Sequence, residues 1–219
     1  MNFKFILLNL FIFSLSVNAF EVGTGSQFIM TLQNQKVDLE IYVAKSDVKS
    51  VSIEMHMGTK GIISSNLWQQ FEFKNYGQGP ISIEAGYILL DSTDKPEVLS
   101  AEFYHQNKGL QVQDFLFAKN SNIEGDLIGK EMVELTAGDL YATHYRKKRD
   151  GQIIDFWISD KVKPIGLVKL VSQSTKDKSN NYELELSSLI KNVKPSIDSS
   201  VAIPMTKKTK STFIKNFKK

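Results

Sequence analysis

Three histidines, His56, His105 and His144, are the only side chains in this 219-residue chain suited to general base work near neutral pH or to imidazole ligation of a transition metal. No cysteine accompanies them, so thiolate nucleophiles, disulfides and cysteine-held metals are excluded. The histidines fall on three separate predicted strands without paired spacing. His56 alternates onto the polar face of its strand beside Glu54, where a solvated position is the simpler reading than a ligand. His144, between Thr143 and Tyr145, is the most interesting; with Asp155 and Tyr145 it forms the least implausible acid–base set, although a hydrogen-bonded sheet histidine accounts for it as well. No G-x-S-x-G elbow, H-E-x-x-H helix or Walker-type glycine loop occurs. Asp91, Asp94 and Glu97 place three carboxylates in one stretch, but the oxygen-ligand spacing of a calcium loop is missing and a turn is the better reading. The chemistry-bearing residues therefore predict neither an enzyme nor a cofactor or metal.

What must position these side chains is sheet. Val37, Leu39, Ile41 and Val43 alternate with Lys36, Asp38, Glu40 and Tyr42, the period-2 pattern of a half-buried strand. Val51, Ile53, Met55 and Met57 repeat it after a short polar turn at 45–50. Further strands are predicted at 67–73, 81–90, 98–105, 110–118, 132–135, 141–147, 153–159, 167–172 and 182–189, separated by Gly-, Pro-, Asn- and Asp-rich turns. Only 60–66 and the tail carry helical potential. Many closely spaced strands predict a mainly β fold, a curved antiparallel sheet or half-barrel with few short helices.

The first nineteen residues read as an export signal. Lys4 precedes a mostly apolar run, and Val17-Asn18-Ala19 supplies small residues where a signal peptidase cuts. The run is shorter than the roughly 20 apolar residues a spanning helix needs. The expected organisation is a signal peptide at 1–19, one β-rich domain at 20–194, and a linker with a basic tail at 195–219. Without a cysteine to acylate, the expected location is the periplasm, with secretion the second choice. Six of the 27 basic residues lie in the acid-free segment 205–219 and one is Lys4, leaving 20 basic against 24 acidic groups in the body. That balance argues against a nucleic-acid platform.

The segment from Gly129 to Leu189 carries the most specific pattern, in Trp157-Ile158-Ser159-Asp160, Pro164-Ile165-Gly166 and Leu167-Val168-Lys169-Leu170. This succession resembles the C-terminal half of the LolA/LolB-like periplasmic proteins, the lipoprotein-localisation fold. The resemblance implies a curved antiparallel sheet around an apolar cavity; it departs from the family in lacking an amphipathic helix directly after the signal. Residue by residue, Ile154, Phe156 and Ile158 line one face of their strand while Ile153 and Trp157 line the other, so the strand is covered on both faces or borders a cavity.

These readings lead to a non-enzymatic protein that binds a lipid, a lipoprotein or another hydrophobic ligand in a half-barrel, with Phe156, Trp157, Leu167 and Val168 as candidate wall residues. An envelope adaptor with a filled core, docking a protein partner, is the alternative. The tail carries a separate expectation: Lys207, Lys208 and Lys210, with Phe213 and Phe217 on one face of a helix, suit peripheral contact with an anionic membrane. The oligomeric state is left open.

Overall fold

The computed structural model describes residues 20–33, 35–59, 65–74, 82–100, 125–149 and 151–210. Among these residues twelve strands build one sheet: β1 (Gly25–Leu32), β2 (Gln35–Ser46), β3 (Ser50–Thr59), β4 (Ser65–Lys74), β5 (Ser82–Leu90), β6 (Glu97–Val98), β7 (Asp126–Val133), β8 (Leu140–Arg149), β9 (Gln152–Ile158), β10 (Leu167–Ser174), β11 (Tyr182–Ile190) and β12 (Ile203–Pro204). Their spatial order is β12-β6-β5-β4-β3-β2-β1-β11-β10-β9-β8-β7. Two antiparallel meanders, β1 to β6 and β7 to β11, are thus joined where β1 pairs with β11. Among the described strands only β12 with β6 is parallel. The sheet is not closed into a barrel, and among the described residues β7 and β12 form its two edges.

Period-2 patterning becomes two faces. Phe28, Ile41, Val43, Val51, Ile53, Phe73, Ile154, Phe156, Leu170 and Leu186 lie on the inner face in one buried cluster fed by strands of both meanders. The corner between β9 and β10 completes it: Val162 and Ile165 are buried, and Ser26 Oγ donates to the Lys163 carbonyl at 2.5 Å. Gly166 takes φ 75°, so the Pro164–Gly166 corner turns the chain sharply. Gly25 answers a different need, because a Cβ there would stand 2.3 Å from the Ile41 carbonyl oxygen.

Local readings and structure differ at identifiable places. β1, the strand that joins the two meanders, is not among the predicted strands; Ile29 and Met30 put apolar groups on both faces and blur the alternation. β7 starts at Asp126 rather than at 132, because a bulge between Leu127 and Gly129 shifts its phase. Ser65 and Asn66, assigned helical potential, open β4 instead, while 60–64 lie outside the described residues. Of the strand expected at 98–105 only Val98 is in β6; 101–105 and the strand expected at 110–118 lie outside the described residues.

The largest difference concerns the segment expected to leave the domain after 194. Residues 193–209 form a strap over the sheet. The Val193 N–H donates to the Gly23 carbonyl at 3.0 Å, and Ile197 is buried. Beyond the turn Ser199–Val201 the strap becomes β12, and the Ile203 N–H donates to the Pro96 carbonyl. A helical turn then starts at 207–210, with Thr206 Oγ1 accepting from the Thr209 N–H. The composition of 194–206, rich in Ser, Thr and Pro, suits an exposed linker, but buried acceptors on the sheet hold it down.

Candidate functional site

The inner face is an apolar surface whose burial changes along the strands. Cross-strand register aligns Leu90, Leu67, Met57, Leu39, Phe28 and Leu186 in a row across β5, β4, β3, β2, β1 and β11. The first four are half-buried and the last two fully buried. At strand spacing of about 4.8 Å the row spans about 24 Å. Beside it, Val37, Met30, Leu184, Leu170, Phe156 and Tyr145 form a second row.

Of the four expected wall residues, Phe156, Leu167 and Val168 are buried within the main cluster, while Trp157 is half-buried on the outer face. Phe156 stacks on Tyr145, with ring centroids 5.6 Å apart. The more accessible apolar positions, Met57, Leu39, Leu67 and Leu90, were not singled out by sequence. Their signal was the same alternation that marks any core strand, which says nothing of how far each position lies from a strand end.

The outer face holds the polar chemistry. His144 on β8 stacks on Trp157 of β9 at 4.3 Å and 20°. Its Nε2 lies 2.8 Å from Asp155 Oδ1 and its Nδ1 3.2 Å from Glu131 Oε1. Trp157 Nε1 donates to the same Glu131 oxygen, and Arg146 donates to both Asp155 oxygens at 2.8 and 3.1 Å. Burial alone would raise the Asp155 carboxyl, but the hydrogen bonds from Arg146 and His144, with their charges, hold it below the usual carboxylate range. His144 and Asp155 are therefore together, as the acid–base reading requires. Tyr145, however, points to the opposite face. Both ring nitrogens of His144 are directed at carboxylates, which leaves neither aimed at an incoming substrate proton.

A parallel arrangement recurs on the other meander. His56 on β3 stacks on Trp68 of β4 at 4.7 Å and 7°, with Nδ1 3.2 Å from Glu40 and Nε2 3.1 Å from Asn66. Glu54 lies on the same face of β3 but is buried rather than solvated. His105 lies outside the described residues. Glu97 is buried beneath the strap and Asp91 accepts from Asn66, so the three carboxylates of 91–97 do not converge. Among the described residues no cluster of three or more His, Asp or Glu side chains could hold a metal ion.

Two buried carboxylates that sequence did not flag fasten the strap. Glu54 accepts from Tyr42 Oη at 2.6 Å, from Gln70 Nε2 at 3.1 Å, and from the backbone N–H groups of Ser196 and Ile197 at 2.8 and 3.2 Å. Burial, then the neighbouring Glu54 carboxylate, pushes the Tyr42 phenol far above its ordinary range, so it remains a donor. Glu97 accepts from the Thr206 N–H at 2.7 Å and from the hydroxyls of Thr206 and Thr209 at 3.1 and 3.0 Å. Farther along, Lys207, Lys208 and Lys210 are exposed. Phe213 and Phe217 lie outside the described residues.

Neither the protein-family models nor the curated proteins give a match to this chain.

Proposed function

We propose that this chain is an exported, non-enzymatic protein that holds the apolar chain of a lipid, a lipoprotein or another hydrophobic ligand along the inner face of its half-barrel. The row from Leu90 to Leu186 carries the proposal. It gives an extended ligand continuous apolar contact, half-buried at one side and enclosed at the other. Three inner-face methionines, Met30, Met55 and Met57, are half-buried around it, and such flexible, polarisable side chains adapt to ligands of varied shape. Each buried methylene contributes about 0.8 kcal/mol, so ten give several kcal/mol of affinity after ordering costs. The resemblance of Gly129–Leu189 to the LolA/LolB-like fold supports the same reading, as do the signal-like first nineteen residues for a periplasmic location.

Titration with a fluorescent fatty acid tests the proposal. Saturable binding is expected, at least tenfold weaker in Met57→Asp with the circular dichroism spectrum unchanged; no saturable binding to the folded chain would overturn it. Met57 is the informative position because it is half-buried, whereas a charge at fully buried Phe156 would unfold the protein.

One observation favours the adaptor alternative. Leu127, Ile128 and Met132 on edge strand β7, with Tyr141 on β8, are 66, 52, 47 and 67 % exposed. An apolar edge of this kind suits a protein partner. Absence of fatty-acid binding combined with loss of a partner in Leu127→Lys would shift the function to that edge.

A further inference from the structure

The half-buried end of the apolar row lies where the strap finishes. Leu90, Leu67, Met57 and Leu39 run from β5 to β2 on the inner face. Beyond β5 they are flanked by β6, with Glu97 opposite buried Ile88. There Met205, the first residue after β12, packs with Leu67, Phe71 and Leu90 against a small cluster of Ile88 and Leu99. The strap crosses the outer face over Glu54, so the chain passes around the β6 edge and arrives on the inner face beside the row.

The first turn after Met205 sets a direction. The Thr206 N–H donates to Glu97 at 2.7 Å, and the Lys210 N–H donates to the Thr206 carbonyl at 3.0 Å, closing one helical turn. Within that turn Thr209 is buried, its hydroxyl donating to Glu97 at 3.0 Å, whereas Lys207, Lys208 and Lys210 are exposed. At about 100° per residue, continuing this helix beyond the described residues puts Phe213 about 40° and Phe217 about 80° from Thr209, with Ile214 at their border. Lys207, Lys208, Lys210, Lys215 and Lys218 all fall about 100° or more away. The buried side of the observed turn is thus the side on which the two phenylalanines would stand. Length agrees as well: a helix over 207–219 is about 20 Å long, and the row from Leu90 to Leu39 spans about 14 Å in three strand steps.

We propose that residues 207–219 form an amphipathic helix that covers the half-buried row, with Phe213 and Phe217 seated among Leu90, Leu67, Met57 and Leu39 and most of the lysines facing solvent. The tail is then a self-cover that an apolar ligand has to displace. The same phenylalanines cannot occupy the row and a bilayer at once, so an anionic membrane that draws off the basic tail opens the face. Displacement by a ligand rests on the inner-face reading above; the cover itself needs no ligand.

The chain contains no cysteine, so Met57→Cys places a single thiol under the cover. Maleimide labelling of that thiol should be about tenfold faster in a chain ending at Lys210, and in Phe213→Asp/Phe217→Asp, than in the full chain, the ratio that a docked population of about ten to one gives. Tyr141→Cys, exposed on β8 near the opposite edge of the sheet, is the control and should label at one rate in all three backgrounds. Phosphatidylglycerol vesicles should speed labelling of Met57→Cys in the full chain and phosphatidylcholine vesicles should not; no effect of phosphatidylglycerol would overturn release by the membrane. Equal labelling of Met57→Cys with and without 211–219 would overturn the cover, as would protection that rises with protein concentration, which would assign the row to a second copy. With Met57 in place, a fluorescent fatty acid should bind about tenfold tighter to the shortened chain, and equal affinity would overturn the displacement. Tail-dependent protection with no fatty-acid binding to either chain would leave the cover standing and overturn the ligand reading alone.

Discussion

Asp155 shows how a single carboxylate can be held in a sheet surface that would otherwise expel it. Its side chain is only 13 % exposed, and Arg146 and His144 supply the hydrogen bonds that compensate for lost water. Asp155→Asn should cost about 1–3 kcal/mol, because charge-assisted bonds are weakened and the amide must turn a donor toward Arg146 or His144. The folded-state carboxyl titrates below the unfolded value of about 3.9, so its contribution is fully present above that value and is lost as pH falls through the lower folded one. Urea unfolding of wild type and variant should therefore show a gap at pH 7 that narrows below about pH 4. A gap independent of pH would assign the effect to packing rather than charge.

The strap is the element whose behaviour departs most from its composition. Its polar sequence buries little beyond Ile197, and its attachment depends on Glu54 and Glu97 accepting hydrogen bonds from its backbone and threonines. Glu54→Ala leaves two backbone donors, Tyr42 Oη and Gln70 Nε2 without their acceptor, and should cost about 2–4 kcal/mol. Limited proteolysis should then cut within 191–203 faster than in the wild type, ahead of cuts in β1 to β5; an unchanged cleavage pattern would show that the strap is held by other contacts. Its release also uncovers the β6 edge that β12 pairs with. The basic end adds a prediction for the same element. Anionic vesicles should sediment the full chain more than one truncated after 204, and high salt should reduce the difference.

At the scale of the whole molecule, two meanders share one cluster through β1, so they should unfold together. Phe28 is fully buried between Leu39 and Leu186 at that junction, and Phe28→Ala should cost about 3–5 kcal/mol. Urea unfolding followed by tryptophan fluorescence and by circular dichroism should give one coincident transition, because Trp68 and Trp157 report on different meanders. Separate transitions would mean that the β1–β11 seam does not couple them.

Alternation alone determined the β class, most hairpins and the assignment of Phe156 and Trp157 to opposite faces, because side chains project from a strand with a period of two whatever the strand packs against. The Asp47 turn was equally legible: its carboxylate accepts from the N–H groups of Lys49 and Ser50 within a few residues. Which face would be inner was decided by curvature, which joins residues from β1 to β11 in one cluster. The β1–β11 seam and the burial of Glu54 under Ser196 and Ile197 likewise required tertiary structure. Each depends on pairing between segments far apart in the chain, and a local pattern of polar and apolar residues does not encode its distant partner.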